Sequence, residues 1–126
     1  MSGILGIILL DGSAVDREDL ERMKERIRHR GPDGSSCWID GPVGLGHLML
    51  YTTPESLAEL LPASNTSDDL VITADARIDN RDELIDDLFS HKERPEKISD
   101  SELILLSYER WGEGCMDKLI GDFAFA

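Results

Sequence analysis

Two histidines are the first side chains in this chain that could take part in catalysis. His29 and His47 carry imidazoles that gain or lose a proton near neutral pH, as general acid–base catalysis requires. Neither histidine has a cysteine or serine near it in the sequence that it could activate. We therefore expect both to have structural roles.

Three aspartates could suggest a metal site, because carboxylates are preferred ligands of hard cations. Asp75, Asp79 and Asp82 lack the spacing of a calcium-binding loop and its closing glutamate. Their pattern favours a turn and the start of a helix, so no metal site is predicted. The segment Gly44-Leu45-Gly46 lacks both the phosphate-loop lysine and the full dinucleotide fingerprint, and it indicates strand packing.

Alternating patterns predict the elements that would position these side chains. A buried strand is expected over 3–10, followed by a helix that Asp16 caps and that runs to about Arg28. Two further strands are expected at 35–40 and 43–50.

The second half of the chain predicts a mixture of loop, strand and helix. The sequence favours a loop over 52–69 with one helical turn near 54–60, then a strand at 70–76. Two helices should begin at capping boxes, one opening at Asn80 and ending at Phe89, the other opening at Ser99 and ending at Gly112. A last strand is expected over 121–126.

Composition limits the class of protein. The chain has 126 residues, 40% of them hydrophobic and 31% charged, which is typical of one globular domain. Its net charge of −13 argues against nucleic acid and anionic membrane surfaces as partners. Cys37 and Cys115 form neither a metal spacing nor a disulfide framework, which predicts a cytoplasmic protein. No stretch resembles a signal peptide or reaches the roughly 20 apolar residues of a membrane span.

Five motifs carry a resemblance to a known family. In chain order they are His29-Arg30-Gly31-Pro32-Asp33-Gly34, Gly44-Leu45-Gly46-His47, Ser99-Asp100-Ser101-Glu102, Tyr108-Glu109-Arg110-Trp111-Gly112 and Gly121-Asp122-Phe123-Ala124-Phe125-Ala126. Together with the Met1-Ser2-Gly3-Ile4 start, they resemble the class II glutamine amidotransferase domain of asparagine synthetase B-like proteins. That family includes relatives such as lasso-peptide cyclases and β-lactam synthetase.

The resemblance implies an α+β fold of the N-terminal-nucleophile hydrolase type. This fold is a four-layer αββα sandwich, in which two antiparallel sheets pack face to face between helices. Residues 1–126 would be part of such an amidotransferase type 2 domain, truncated at its final strands. The apolar ending Phe123-Ala124-Phe125-Ala126 agrees with a longer chain, since an exposed strand there would invite edge pairing. An ATP-dependent synthetase domain, using ATP and Mg²⁺, is expected beyond Ala126.

The resemblance also assigns site residues, several of them altered. Ser2 stands where the family has a cysteine that attacks glutamine with its own α-amine as base. Asp75 and Ala76 replace the asparagine and glycine that stabilise the oxyanion. Met49 replaces the arginine, and Arg77 the acidic residue, that hold the amino-acid end of glutamine, whereas Asp100 stands as the family has it.

Three functions remain open from the sequence. The leading hypothesis is the glutaminase-like domain of an asparagine synthetase-related, ATP-dependent amide-forming ligase with a degenerate glutamine site. The second is an active amidotransferase that supplies ammonia for asparagine synthesis, with Ser2 as a natural or engineered replacement of the cysteine. The third is a non-catalytic dimerisation module. The expected partners are the protein's own C-terminal synthetase domain and a possible second copy, and no cofactor is expected in residues 1–126.

Overall fold

Short antiparallel strands and a few helices form an α+β arrangement. The computed structural model describes residues 1–90 and 94–126. The strands are β1 (Gly3–Ile8), β2 (Gly34–Asp40), β3 (Val43–Met49), β4 (Ala63–Ser64), β5 (Val71–Ile72), β6 (Ala74–Ile78) and β7 (Gly121–Phe125). The α-helices are α1 (Arg17–Arg26), α2 (Arg81–Phe89) and α3 (Asp100–Trp111), and short 3₁₀ turns lie at Arg28–Arg30, Glu55–Ala58 and Gly112–Asp117.

The first sheet has the order β1-β3-β2 and is antiparallel throughout. Helix α1 covers it, and Asp16 caps that helix as predicted, accepting a hydrogen bond from the backbone N of Glu18 at 2.9 Å. Leu20 of α1 is fully buried in a small apolar cluster, whose other members are Leu5, Val15 and Leu48. The strands and the helix predicted for residues 3–50 are confirmed to within two residues of their ends.

The second half of the chain holds the larger apolar cluster, between α2, α3 and the paired strands β6 and β7. The strand predicted over 70–76 is instead two consecutive strands, because the chain changes partner at Thr73. Before Thr73, β5 pairs with β4, and after it β6 pairs with β7. The capping box at Ser99 is confirmed.

The capping box predicted at Asn80 is wrong, although α2 does begin at the next residue. The Asn80 side chain accepts a hydrogen bond from the backbone N of Ile120 at 3.0 Å and donates one to the carbonyl of Lys118 at 2.9 Å. A tertiary contact between α2 and the segment before β7 has therefore taken the side chain away from the helix end.

Polar contacts join the two halves. The backbone N of Ser2, just before β1, donates to Asp75 of β6 at 2.9 Å. The side chain of Thr73 contacts β3 twice, lying 3.2 Å from Nδ1 of His47 and donating to the carbonyl of Gly46 at 3.2 Å. The start of β1, the middle of β3 and the start of β6 consequently meet in one place.

Candidate functional site

Ser2 is buried at this meeting point, with 7% of its surface exposed. Its Oγ accepts a hydrogen bond from the backbone N of Leu50 at 3.0 Å and lies 3.4 Å from the carbonyl of the same residue. The thioether of Met49 also contacts Oγ, with its Sδ 3.9 Å away. No imidazole, carboxylate or amine of the described residues forms a hydrogen bond with this hydroxyl. Backbone groups of Leu50 therefore hold the Ser2 hydroxyl, and no side chain of the described residues is bonded to it in a way that could take its proton.

The backbone of Ser2 is fixed on both sides. Its N donates to Oδ1 of Asp75 at 2.9 Å, and its carbonyl accepts from Nε of Arg30 at 3.2 Å. Arg30 belongs to the first motif of the sequence, and sequence reasoning did not assign it this contact. The motif was a signal in the sequence that could have pointed to Arg30. The contact from the backbone N of Leu50 could not have been predicted, because it does not depend on the identity of that side chain.

The rest of that motif holds the end of β3 beside Ser2. Gly31 lies against Leu48 so closely that a Cβ added to the glycine would be 2.4 Å from the Cβ of Leu48. The backbone N of Asp33 donates to the carbonyl of Met49 at 3.1 Å, and its carboxylate accepts from the backbone N of Tyr51 at 2.9 Å. The motif is therefore a turn whose contacts position both the strand end and the start of the chain.

Met49 lies beside Ser2. It is buried, and its thioether touches the serine hydroxyl. A thioether carries no charge and accepts hydrogen bonds only weakly, so it offers nothing to a carboxylate.

Asp75, Ala76 and Arg77 line one open cavity of about 320 Å³, together with Met1, Thr52, Thr53 and Asp122. The guanidinium of Arg77 forms ion pairs with Asp79 at 2.9 Å and Asp122 at 3.0 Å. The hydrogen bond to Asp79 is the main cause that raises the pKa of Arg77, so this arginine remains a cation in the cavity. Of these three consecutive residues, Asp75 contacts Ser2, through the hydrogen bond to its backbone N.

Asp100 lies apart from this cavity, at the start of α3, and is buried. One of its oxygens pairs with Arg81 and the other accepts from the backbone N of Ile78 at 3.2 Å. Arg81 also donates to the carbonyl of Ile98 at 2.5 Å. The carboxylate of Asp100 is therefore engaged in joining α3 to β6 and α2.

His47 lies in the core, with 2% of its surface exposed, and contacts Thr73 instead of Ser2. Because the hydroxyl of Thr73 donates its one hydrogen to the carbonyl of Gly46, it accepts from Nδ1–H of the imidazole. Nε2 then carries the lone pair, and it has no hydrogen-bond partner among the described residues. Burial lowers the pKa of His47, against an opposing effect of the negative charge of Asp75. The histidine is neutral at physiological pH, whereas His29 is exposed on the turn before Gly31.

Residues 1–90 and 94–126 contain no group of three or more histidines, cysteines or carboxylates placed to hold a metal ion. Nor does any helix within these ranges have the length and apolar character needed to cross a membrane.

Comparison with known proteins identifies the family of the chain. The sequence matches the family described as glutamine amidotransferase domain over residues 1–126. Glutamine-hydrolyzing asparagine synthetase 3 of Bacillus subtilis (strain 168) is 31% identical over 128 residues, which is 100% of this chain and 21% of the relative. Glutamine-hydrolyzing asparagine synthetase 2 of Oryza sativa subsp. japonica is 35% identical, and number 1 of Arabidopsis thaliana is 34% identical, each over 99% of this chain.

This chain spans 21% of the length of each of these three curated relatives. The match covers every motif from the Ser2 start to β7. The chain belongs to the glutamine amidotransferase domain family, as a class II domain of the asparagine synthetase type.

Proposed function

We propose that this chain is the glutaminase-like N-terminal domain of an asparagine synthetase-related, ATP-dependent amide-forming ligase, and that its glutamine site no longer hydrolyses glutamine. The observation that carries the proposal is the set of contacts around Ser2. The thioether of Met49 touches the serine hydroxyl, and the carboxylate of Asp75 bonds the serine backbone N. The resemblance implies a guanidinium at the first of these positions and a neutral amide at the second.

The expected losses are large enough to abolish turnover. Removing an oxyanion donor costs about 10²–10³ in rate, and an ionised Asp75 would also repel the developing negative charge. Losing a charge-assisted bond from arginine to carboxylate costs roughly 1.5–3 kcal/mol of binding. Arg77 offers no negative charge to the ammonium of an incoming glutamine, and Asp100 is engaged with Arg81.

The whole protein would then form its amide bond from an amine already present on its substrate. The carboxylate would be activated by ATP and Mg²⁺ in a synthetase domain beyond Ala126, which is the expected main partner of this domain. The described residues offer no carboxylate cluster suited to Mg²⁺, so no step of that activation is assigned to them. We also propose the four-layer αββα arrangement for the complete domain, and a cytoplasmic location.

A second candidate, an active amidotransferase with serine as nucleophile, is favoured by one observation. Ser2 is held in place by the backbone N of Leu50 and by Arg30, as a working nucleophile would be. A non-catalytic dimerisation module is the third candidate. Sedimentation at several concentrations tests it, because a dimer of this domain alone would support it and a monomer would exclude it.

Ammonia release from glutamine by the full-length protein separates the first two candidates. We expect none from the unmodified protein, from Ser2→Cys or from the control Ser2→Ala. Release by the unmodified protein, abolished in Ser2→Ala, would overturn the proposal and make Ser2 the nucleophile. Release by Ser2→Cys alone would also overturn it, since the pocket would then be competent. A variant that adds Met49→Arg, Asp75→Asn, Ala76→Gly and Arg77→Glu to Ser2→Cys should regain activity.

A further inference from the structure

The contact between Ser2 and Asp75 has a different meaning once Met1 is removed. An aminopeptidase hydrolyses the Met1–Ser2 peptide bond with one water, and the small side chain of Ser2 permits this cleavage. The nitrogen that now donates to Asp75 as a peptide N–H would then be a free α-amine. It would keep its place, because the carbonyl of Ser2 is still held by Arg30 and its Oγ by Leu50.

We infer that Asp75 binds the α-ammonium of Ser2 as a partly buried ion pair in the protein without Met1, and so keeps the potential general base protonated. This inference deepens the proposed function, because it gives the degenerate site a specific chemical cause. Two observations support it. The Ser2 N lies 2.9 Å from Oδ1 of Asp75, and only 7% of the surface of Ser2 is exposed.

The other charges around this nitrogen do not offset the carboxylate. Arg30 lies on the far side of Ser2, where it donates to the carbonyl. Arg77 is balanced by Asp79 and Asp122, and His47 is neutral at physiological pH. An opposite charge in direct contact favours the charged form of an amine more strongly than these more distant groups disfavour it.

The consequence is chemical. An ammonium has no lone pair, so it cannot accept the proton of the Ser2 hydroxyl or of a cysteine placed there. An asparagine at position 75 would be neutral, and its amide oxygen would accept from the amine without holding the extra proton. Asp75 is therefore a positioning residue that acts through the α-amine, and Ser2→Cys alone does not restore a nucleophile–base pair.

The test is a pH titration of Ser2 followed by NMR, in protein shown by intact mass to lack Met1. We expect the Cα resonance of Ser2 to titrate above the usual α-amine range of about 7.7–8.0. Asp75→Asn should lower the midpoint by at least about one pH unit, a tenfold change in the protonation equilibrium. Asp122→Asn is the matched control, because Asp122 lines the same cavity but pairs with Arg77, and it should leave the midpoint unchanged.

A wild-type midpoint within or below the usual range would overturn the inference, even if Asp75→Asn did not fold. Equal midpoints in wild type and Asp75→Asn would overturn it as well. Neither result depends on activity, so the two proposals fail separately. Ammonia release by the unmodified protein would contradict the proposed function but would not change the titration midpoint of Ser2. A midpoint in the usual range would contradict the ion pair but would not imply ammonia release.

Discussion

Individual residues at the site are held by close backbone approach as much as by side chains. Gly31 is the clearest case, because its backbone lies against β3 where a side chain has no room. An added Cβ would be 2.4 Å from the Cβ of Leu48 and 2.5 Å from its carbonyl carbon. The neighbouring Arg30 and Asp33 hold Ser2 and Tyr51, so the turn transmits any displacement to the start of the chain.

We expect Gly31→Ala to lower the free energy of unfolding by about 1–3 kcal/mol, because rigid backbone must move to admit the methyl group. Gly114→Ala is the control, since nothing lies within 4 Å of its added Cβ. Urea denaturation of both variants measures the difference. Equal stability of the two variants would contradict the close approach at Gly31.

His47 should make stability depend on pH. Its pKa is lowered in the folded state by burial, so the unfolded chain binds a proton that the folded chain does not as pH falls below about 6.5. Stability therefore decreases on acidification from pH 7 towards pH 5, by at most about 1.4 kcal/mol per pH unit from this group.

Urea denaturation across this pH range measures the effect. His47→Asn removes the titration while keeping a donor for Thr73, and it should flatten the curve. An unchanged slope in His47→Asn would show that His47 does not contribute.

At the scale of elements, features set by local sequence were predicted correctly, whereas features set by long-range pairing were not. The caps at Asp16 and Ser99 were predictable because a side chain bonds a backbone N two or three residues away. Asn80 has the same local pattern, but it bonds the segment at 118–120, which no local rule can place. The change of strand partner at Thr73 depends likewise on a pairing with Ala126.

The same difference between local and long-range information applies to the candidate site. The resemblance assigned Met49 and Asp75 to the glutamine site, and both side chains contact Ser2. It did not predict that Asp75 would bond the Ser2 nitrogen or that Arg81 would pair with Asp100, because motif order does not specify side-chain contacts between distant residues.

Helix α3 contains two buried serines with opposite expected contributions. Ser107 has a buried hydroxyl with no hydrogen-bond partner among the described residues, whereas the hydroxyl of Ser101 donates to Glu59 at 2.5 Å. Ser107→Ala should raise the free energy of unfolding by about 1 kcal/mol, because it removes an unpaired polar group and adds helix propensity. Ser101→Ala should lower it by a similar amount. Thermal or urea denaturation of the pair tests this, and a loss of stability in Ser107→Ala would contradict it.

At the scale of the molecule, the two apolar clusters of the described residues are joined through polar contacts at Thr73 and Ser2. Thr73 is fully buried, and its hydroxyl serves His47 and Gly46 while its backbone pairs with Ala126. Thr73→Val keeps the shape and removes the hydroxyl, leaving a buried donor and a buried acceptor without their partner. We expect it to cost about 1–3 kcal/mol in urea denaturation. Thr66→Val, on an exposed loop, is the control, and equal effects of the two substitutions would contradict this role.

The separation of the two clusters also has a consequence for how substitutions combine. Leu20 and Ile104 are both fully buried, but they belong to different clusters that share no buried residue. Truncations in contact with one another are not additive, whereas independent sites add to within about 0.3–0.5 kcal/mol. When the side chains of Leu20 and Ile104 are both truncated, the loss in the free energy of unfolding should therefore equal the sum of the losses of the two single variants. A sequence of this kind can vary one core without compensating changes in the other, provided that the polar contacts at Thr73 and Ser2 remain.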